Sequence, residues 1–399
     1  MITITSYLHR ERLCDMIRRW MKDEPRRRDV EEIPRLVHFN NLFVSRYLRL
    51  FTEDLFTGMH RLKMEPRRAR LKGDLKDVII ENMPYRNPRI DELVQNYLAS
   101  PELYYRETPF HGTLYFTLQG GAKRYVGSNR IKRVRRLAEK SARRIIDWIF
   151  SAIKKQADQL AEQRARILGI SRDRLITPPE DMIAEFLNSE SRLLEDLKHH
   201  RPISDPEEMI INDVAGIKII VEDPEQCNVL RMIEARPDCE IIEIEPHTGL
   251  YNAVNLIVRY RPPQERILPA PLGEGFLRVM RRRGVSPDEI TRQFREFILS
   301  GEQTVQLEII LCNYEEMLES EIGRCIHEDR IIRQRLDQQY NGQLARNIEY
   351  LMEYLFAFPA STETRLDELP VKLWHRYLPD YFDEMMRRLF HVPSIEIFD

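Results

Sequence analysis

The sequence predicts an α+β fold, a mixed β-sheet flanked by helices, with further helical regions at both ends. Three observations carry this expectation. Runs rich in β-branched residues, DVAGIKIIV, CEIIEIE, the stretch 251–260 and VQLEIIL, fall between residues 213 and 311. Segments of helical periodicity lie between and around them. The 399 residues, 42% hydrophobic and 32% charged, describe a globular chain long enough for two or three domains.

In chain order, residues 1–122 read as a mainly helical domain. YLHRERLCDMIRRWM, NLFVSRYLRLFTEDLFTGMHRLKM, LKDVIIENM and IDELVQNYLA alternate with Pro and charged breaks, and HGTLYFTL reads as one strand ending near Gly120-Gly121. From Arg130 to Ile167 a long helix is expected, with Ile131, Val134, Ala138, Ile145, Ile149 and Ile153 on its apolar face. A second helix begins near Ile176, where Thr177, Pro178 and Glu180 have the spacing of a reciprocal cap; it should bury Ile183, Phe186, Leu187, Leu194 and Leu197. The strand-rich part follows, interrupted by a Pro- and Arg-rich insertion at 261–303. Residues 336–399 read as a helical support.

The formal charge of -2 conceals 62 basic and 64 acidic residues, so any nucleic-acid argument rests on local clustering. Between Lys123 and Arg144 stand ten basic residues and one acidic, Glu139. The basic helix at 130–144 is therefore a candidate contact for nucleic acid or a protein partner, and equally a solvated face. Cys14, Cys227, Cys239, Cys312 and Cys325 form no CxxC pair, which favours a reducing compartment. No secretory signal pattern or bilayer-length apolar run is present, so cytoplasm without membrane contact is the expected location. Neither a GxxxxGK[ST] phosphate loop nor a GxGxxG fingerprint occurs, which argues against the two commonest nucleotide folds.

Four pieces, in order, resemble the synthetase domain of the RelA/SpoT family, over roughly residues 165–335. Asp213, Gly216 and Lys218 stand where the family has aspartate, glycine and arginine on a strand. Pro246, His247, Leu250, Tyr251 and Asn255 stand where it has proline-lysine, glycine-tyrosine and histidine. Gln306 and Glu308 fall on its glutamate-x-glutamine strand, and Glu321, Gly323 and His327 match a glutamate-glycine-histidine spacing. Arg172 and Arg174 imitate a basic pair before the first strand. The resemblance implies a nucleotidyltransferase-like core within 123–335 that transfers pyrophosphate from ATP to a nucleotide or RNA acceptor.

On that reading Asp213 and Glu308 would be the catalytic carboxylates and hold magnesium; Glu308 substitutes for Gln306 because side-chain alternation keeps both on one face. Arg172, Arg174, Lys218 and His247 would offset phosphate charge, and Tyr251 would stack on the acceptor. Asn255, Glu321 and His327 would complete the nucleotide site. The departures are substantial. Lys218 lacks the guanidinium fork, His247 is only partly charged near neutrality, and Asn255 is not ionisable. A non-catalytic module binding nucleotide, RNA or protein on the same fold is the competing expectation.

Overall fold

The computed structural model describes residues 2–119, 122–175, 177–201, 209–249 and 252–393. Its strands are β1 (Ile2–Ile4), β2 (Met64–Leu71), β3 (Pro109–Gln119), β4 (Ala122–Ile131), β5 (Met209–Ile211), β6 (Ala215–Ile220), β7 (Cys239–His247), β8 (Ala253–Tyr260) and β9 (Val305–Cys312). Seven of them form one sheet in the order β2-β3-β4-β6-β9-β8-β7. The β6–β9 pair is parallel and the other adjacent pairs are antiparallel, so the sheet is mixed and the fold is α+β.

Alternation along the central strands gives the sheet two different faces. Ile217, Ile219, Leu307, Ile309 and Leu311 enter the larger core, which also takes Ile2, Ile145, Phe294, Leu351 and Leu389. Segments from both ends of the chain thus share one interior. The opposite face carries Gly216, Lys218, Glu308 and Ile310 and meets a smaller core containing Leu75, Ile79, Phe110, Tyr125, Tyr314 and Met317. Helices Lys72–Glu81, Pro88–Ala99 and Tyr314–Leu318 supply much of that second layer.

The sheet crosses the boundary expected at 122/123. Within the hairpin β3–β4, Thr113 pairs with Asn129 and Leu118 with Lys123, and the region expected to be mainly helical also supplies β1 and β2. Leu114, Tyr115 and Phe116 are almost fully buried, so β3 belongs to the interior it shares with β4. Gly127 permits the close approach of β4 to β6. Its φ is +154°, and a side chain there would meet the Lys218 carbonyl and the Phe56 ring.

Three local expectations are corrected. Arg130 and Ile131 end β4, and the long helix runs Val134–Ile167. The next helix is Pro179–Lys198 and has no side-chain cap; the Thr177 hydroxyl instead accepts from an Arg164 guanidinium at 2.8 Å. On that helix Leu193 and Leu197 are buried, whereas Ile183 and Leu187 are more than half exposed. The segment 261–303 contains helices Gln264–Ile267, Glu274–Arg282 and Pro287–Leu299, and the last enters the larger core through Ile290, Phe294 and Ile298. Helix Gln343–Ala357 packs along Val134–Ile167.

β1 and β5 form a separate parallel pair, with Ile2 opposite Met209 and Ile4 opposite Ile211. Thr5 extends this link in two directions: its N–H donates to the Ile211 carbonyl at 3.0 Å, and its carbonyl accepts from Gln306 N–H at 3.0 Å. Among the described residues, no helix is long and apolar enough to cross a membrane.

Candidate functional site

The parallel register places Glu308 beside Gly216 and Lys218 beside Ile310. Antiparallel pairing adds Asn255 of β8 across from Ile310, and Ser128 and Arg130 of β4 across from Lys218 and Gly216. Side chains from four strands therefore meet on one face. Glu321 reaches it from the helical segment after β9, and Lys72 from the helix Lys72–Glu81. Together with Leu75, Ile79, Phe110 and Met317 they enclose a hollow of about 420 Å³ measured to its mouth, with about 20 Å³ of room for water-sized groups inside. The first figure counts open space at the rim; the second describes the interior, which is nearly filled.

Ion pairs fill it. Glu321 receives Lys72 Nζ at 2.6 Å and Lys218 Nζ at 3.2 Å, and His327 Nε2 lies 4.0 Å away. Lys72 also approaches Glu328 at 3.3 Å. Burial would raise the Glu321 pKa, but Lys72 and Lys218 outweigh it and hold the carboxyl well below the usual range. Burial pushes the His327 pKa well down, and Lys218 adds to the effect, so the ring is neutral. Glu308 lies 3.6 Å from an Arg130 guanidinium and accepts from Asn255 Nδ2 at 3.4 Å. Its Oε2 and the Asn255 Oδ1 are buried with no hydrogen-bond donor among the described residues.

Asp213 precedes β6 and does not line the hollow. Its Oδ2 accepts from the ammonium groups of Lys132 and Lys140, the latter at 2.7 Å. Burial acts to raise its pKa; the two lysines reverse the shift and hold it far below the ordinary value. Lys132 itself is pushed down by burial to about 8, because Asp213 is shared with a second ammonium and cannot neutralise both.

The remaining sequence-predicted residues do not converge on the hollow. Arg172 and Arg174 lie in an exposed 3₁₀ turn, and Arg172 pairs with Asp158 of the long helix at 2.6 Å. His247 ends β7 half-exposed, 3.6 Å from Glu245, its own neighbour along the strand. Tyr251 lies outside the described residues. The site as placed thus gathers Lys218, Asn255, Glu308, Glu321 and His327, and leaves Asp213 at its flank.

Magnesium requires several oxygen donors directed to one point at about 2.0–2.1 Å. Among the described residues no three His, Cys, Asp or Glu side chains are grouped to hold a metal. Asp213 and Glu308 share no partner, and lysine or arginine already occupies the cation's place beside each. As placed, this donor set does not fit a shared magnesium ion.

Lys72, Lys76, Arg130, Lys132 and Lys140 take part in these networks and were not anticipated. A signal existed in LKGDLKDVII: Lys72 and Lys76 lie one turn apart on a face shared with Leu75 and Ile79, and a lysine among buried apolar residues must find an anion. The basic stretch 123–144 is likewise spent internally. Lys123 pairs with Glu65, Arg130 with Glu308, Lys132 and Lys140 with Asp213, Arg135 with Glu353 and Arg136 with Glu139. Six of its ten basic residues are thus engaged with acidic side chains of the chain itself.

No family model matches the chain, and no curated protein matches it. Among solved structures, small alarmone synthetase 1 from Bacillus subtilis is similar at 14% identity, over 52% of this chain and 88% of that one, with a TM-score of 0.19. A likeness that weak carries no argument about activity.

Proposed function

We propose that the chain is a non-catalytic binding module on a RelA/SpoT-like sheet, with segment 123–335 carrying the module and 336–399 supporting it. The observation that supports this is the pairing of each expected catalytic carboxylate with resident cations: Asp213 with Lys132 and Lys140, and Glu308 with Arg130. Phosphoryl-type transfer depends on metal and cationic groups positioned around the substrate's phosphates. Here those charges neutralise the protein's own acids, and the helix Lys72–Glu81 covers the face where a substrate would lie.

The second reading, an active pyrophosphotransferase, is favoured by the convergence of Lys218, Asn255, Glu308, Glu321 and His327 on one face. It requires the covering helix to withdraw. The deciding experiment supplies magnesium and labelled ATP with GDP, GTP, other nucleotides or bulk transfer RNA. The expected result is no AMP release above a blank and no labelled acceptor. Labelled acceptor, lost in the Glu308→Gln variant, would overturn the non-catalytic reading.

A further inference from the structure

A second concavity lies between the long helix Val134–Ile167 and the helix Ile326–Leu336, and it shares no lining residue with the hollow on the sheet. On one wall Arg143, Asp147 and the adjacent Phe150 and Ser151 follow one another at helical spacing, one turn apart. On the other, Ile326, Arg330, Arg333 and Asp337 do the same, so each helix turns one stripe toward the groove. The paired Arg335 and Glu139, bonded at 2.9 Å, tie the two helices together. Phe150 stacks on Tyr340 with ring centroids 6.0 Å apart, and Phe186 packs on the same ring at 6.0 Å, forming an aromatic cluster at one end.

The space for water-sized groups inside is about 730 Å³. That is within the roughly 300–1,000 Å³ range of small-molecule sites. Four arginines, Arg143, Arg324, Arg330 and Arg333, line it with three carboxylates, Asp147, Asp329 and Asp337. Guanidinium forks match phosphate oxygens in pairs. The interspersed aspartates disfavour the long repeating backbone of a nucleic acid and suit hydroxyl or amino donors on a small ligand that also carries phosphate. Phe150 adds an apolar ring surface, and Gln334 and Gln339 add amides able to meet a base edge.

We propose that this groove binds a small phosphorylated ligand of the nucleoside polyphosphate class, with Arg330 and Arg333 on phosphate and the aspartates on its donor groups. This site is independent of whether the sheet face transfers anything.

The test is calorimetric titration of the full chain with ATP, with inorganic tripolyphosphate and with a single-stranded oligonucleotide. Arg330→Ala/Arg333→Ala is compared with Arg330→Lys/Arg333→Lys and with Arg292→Ala, an exposed arginine on helix Pro287–Leu299 that lines neither concavity. Both groove arginines are exposed, so their removal leaves packing intact. ATP is expected to bind more tightly than tripolyphosphate. Its affinity should fall about tenfold or more in the double alanine variant and less in the lysine variant, as loss of charge-assisted hydrogen bonds requires. Arg292→Ala should leave it unchanged. Absence of ATP binding at millimolar concentration, or equal affinity in the double alanine variant, would overturn the site. Tripolyphosphate binding as tightly as ATP, or the oligonucleotide binding more tightly through the same arginines, would overturn the ligand class. Failure here leaves the transfer assay untouched, and the converse also holds.

Discussion

Lys72 Nζ lies 2.6 Å from Glu321 Oε2, with both side chains less than one-tenth exposed and 249 residues of chain between them. The ammonium and carboxylate join the helix that covers the sheet to the segment that follows β9. Because both are desolvated, each is a liability without the other, and the contact fixes geometry more than it adds net stability.

Removing one member should therefore be costly. Lys72→Met is expected to lower unfolding free energy by about 3–5 kcal/mol, the cost of stranding a buried charge. Combining it with Glu321→Gln should cost less than the sum of the two, with a coupling of about 0.5–3 kcal/mol by urea denaturation. Simple additivity would show that the pair is not energetically linked.

Acidification should weaken the fold in two stages. The depressed His327 pKa means that the unfolded chain takes up a proton which the folded chain resists, so this contribution is complete above about pH 6.5 and lost as pH falls below it. Glu321, also depressed, contributes fully above about pH 4.3 and loses that contribution as pH falls through its folded value. Urea midpoints across this range should show both declines, and His327→Gln should reduce the earlier one, to which the similarly depressed His38, His60 and His111 also contribute. A wild-type midpoint that is flat between about pH 7 and about pH 5 would contradict a neutral buried ring.

Lys132 gives a rise of the same sign in alkali. Its folded pKa of about 8 lies below the ordinary lysine value of about 10.4, so between these limits the unfolded state binds the proton more strongly. Stability from this group should rise as pH increases from about 8 towards about 10. Lys132→Met should flatten that rise while Lys140 continues to pair with Asp213. Equal alkaline slopes in the two proteins would place the lysine's charge elsewhere.

At Gly127 the expected penalty is steric. Gly127→Ala places a methyl group against the Lys218 carbonyl and at a positive φ, and should cost more than about 1 kcal/mol in thermal or urea unfolding. A neutral result would mean that β4 can move away from β6 without disturbing the face that carries Lys218.

The central strands were legible because β6 and β9 are short runs rich in isoleucine and valine between turn and helix signals. The meeting of Lys218, Asn255, Glu308, Glu321 and His327 was legible through motif order. Their neutralising partners were not. Lys72 and Arg130 precede the matched segment, and their burial follows from tertiary pairing, which periodicity does not report. Asp213 was read on its strand, which begins only at Ala215, and the two lysines that pair with its carboxylate read equally well as solvated charge. β1 and β5, at three residues each, are too short for a period to show.

The short link through Thr5 and Ser6 also has a consequence in time. Ser6 Oγ donates to the Gln306 carbonyl at 2.7 Å across 300 residues. On a ribosome adding about 5–20 residues per second, the partner of this first segment is made roughly 15–60 s later. The Ile-Thr-Ile edge has its own strand partner once β5 is made, but Thr5 and Ser6 wait the full interval for Gln306. Chaperone occupancy of the nascent chain should therefore persist until β9 has emerged, when the tie between the small parallel pair and the main sheet can form.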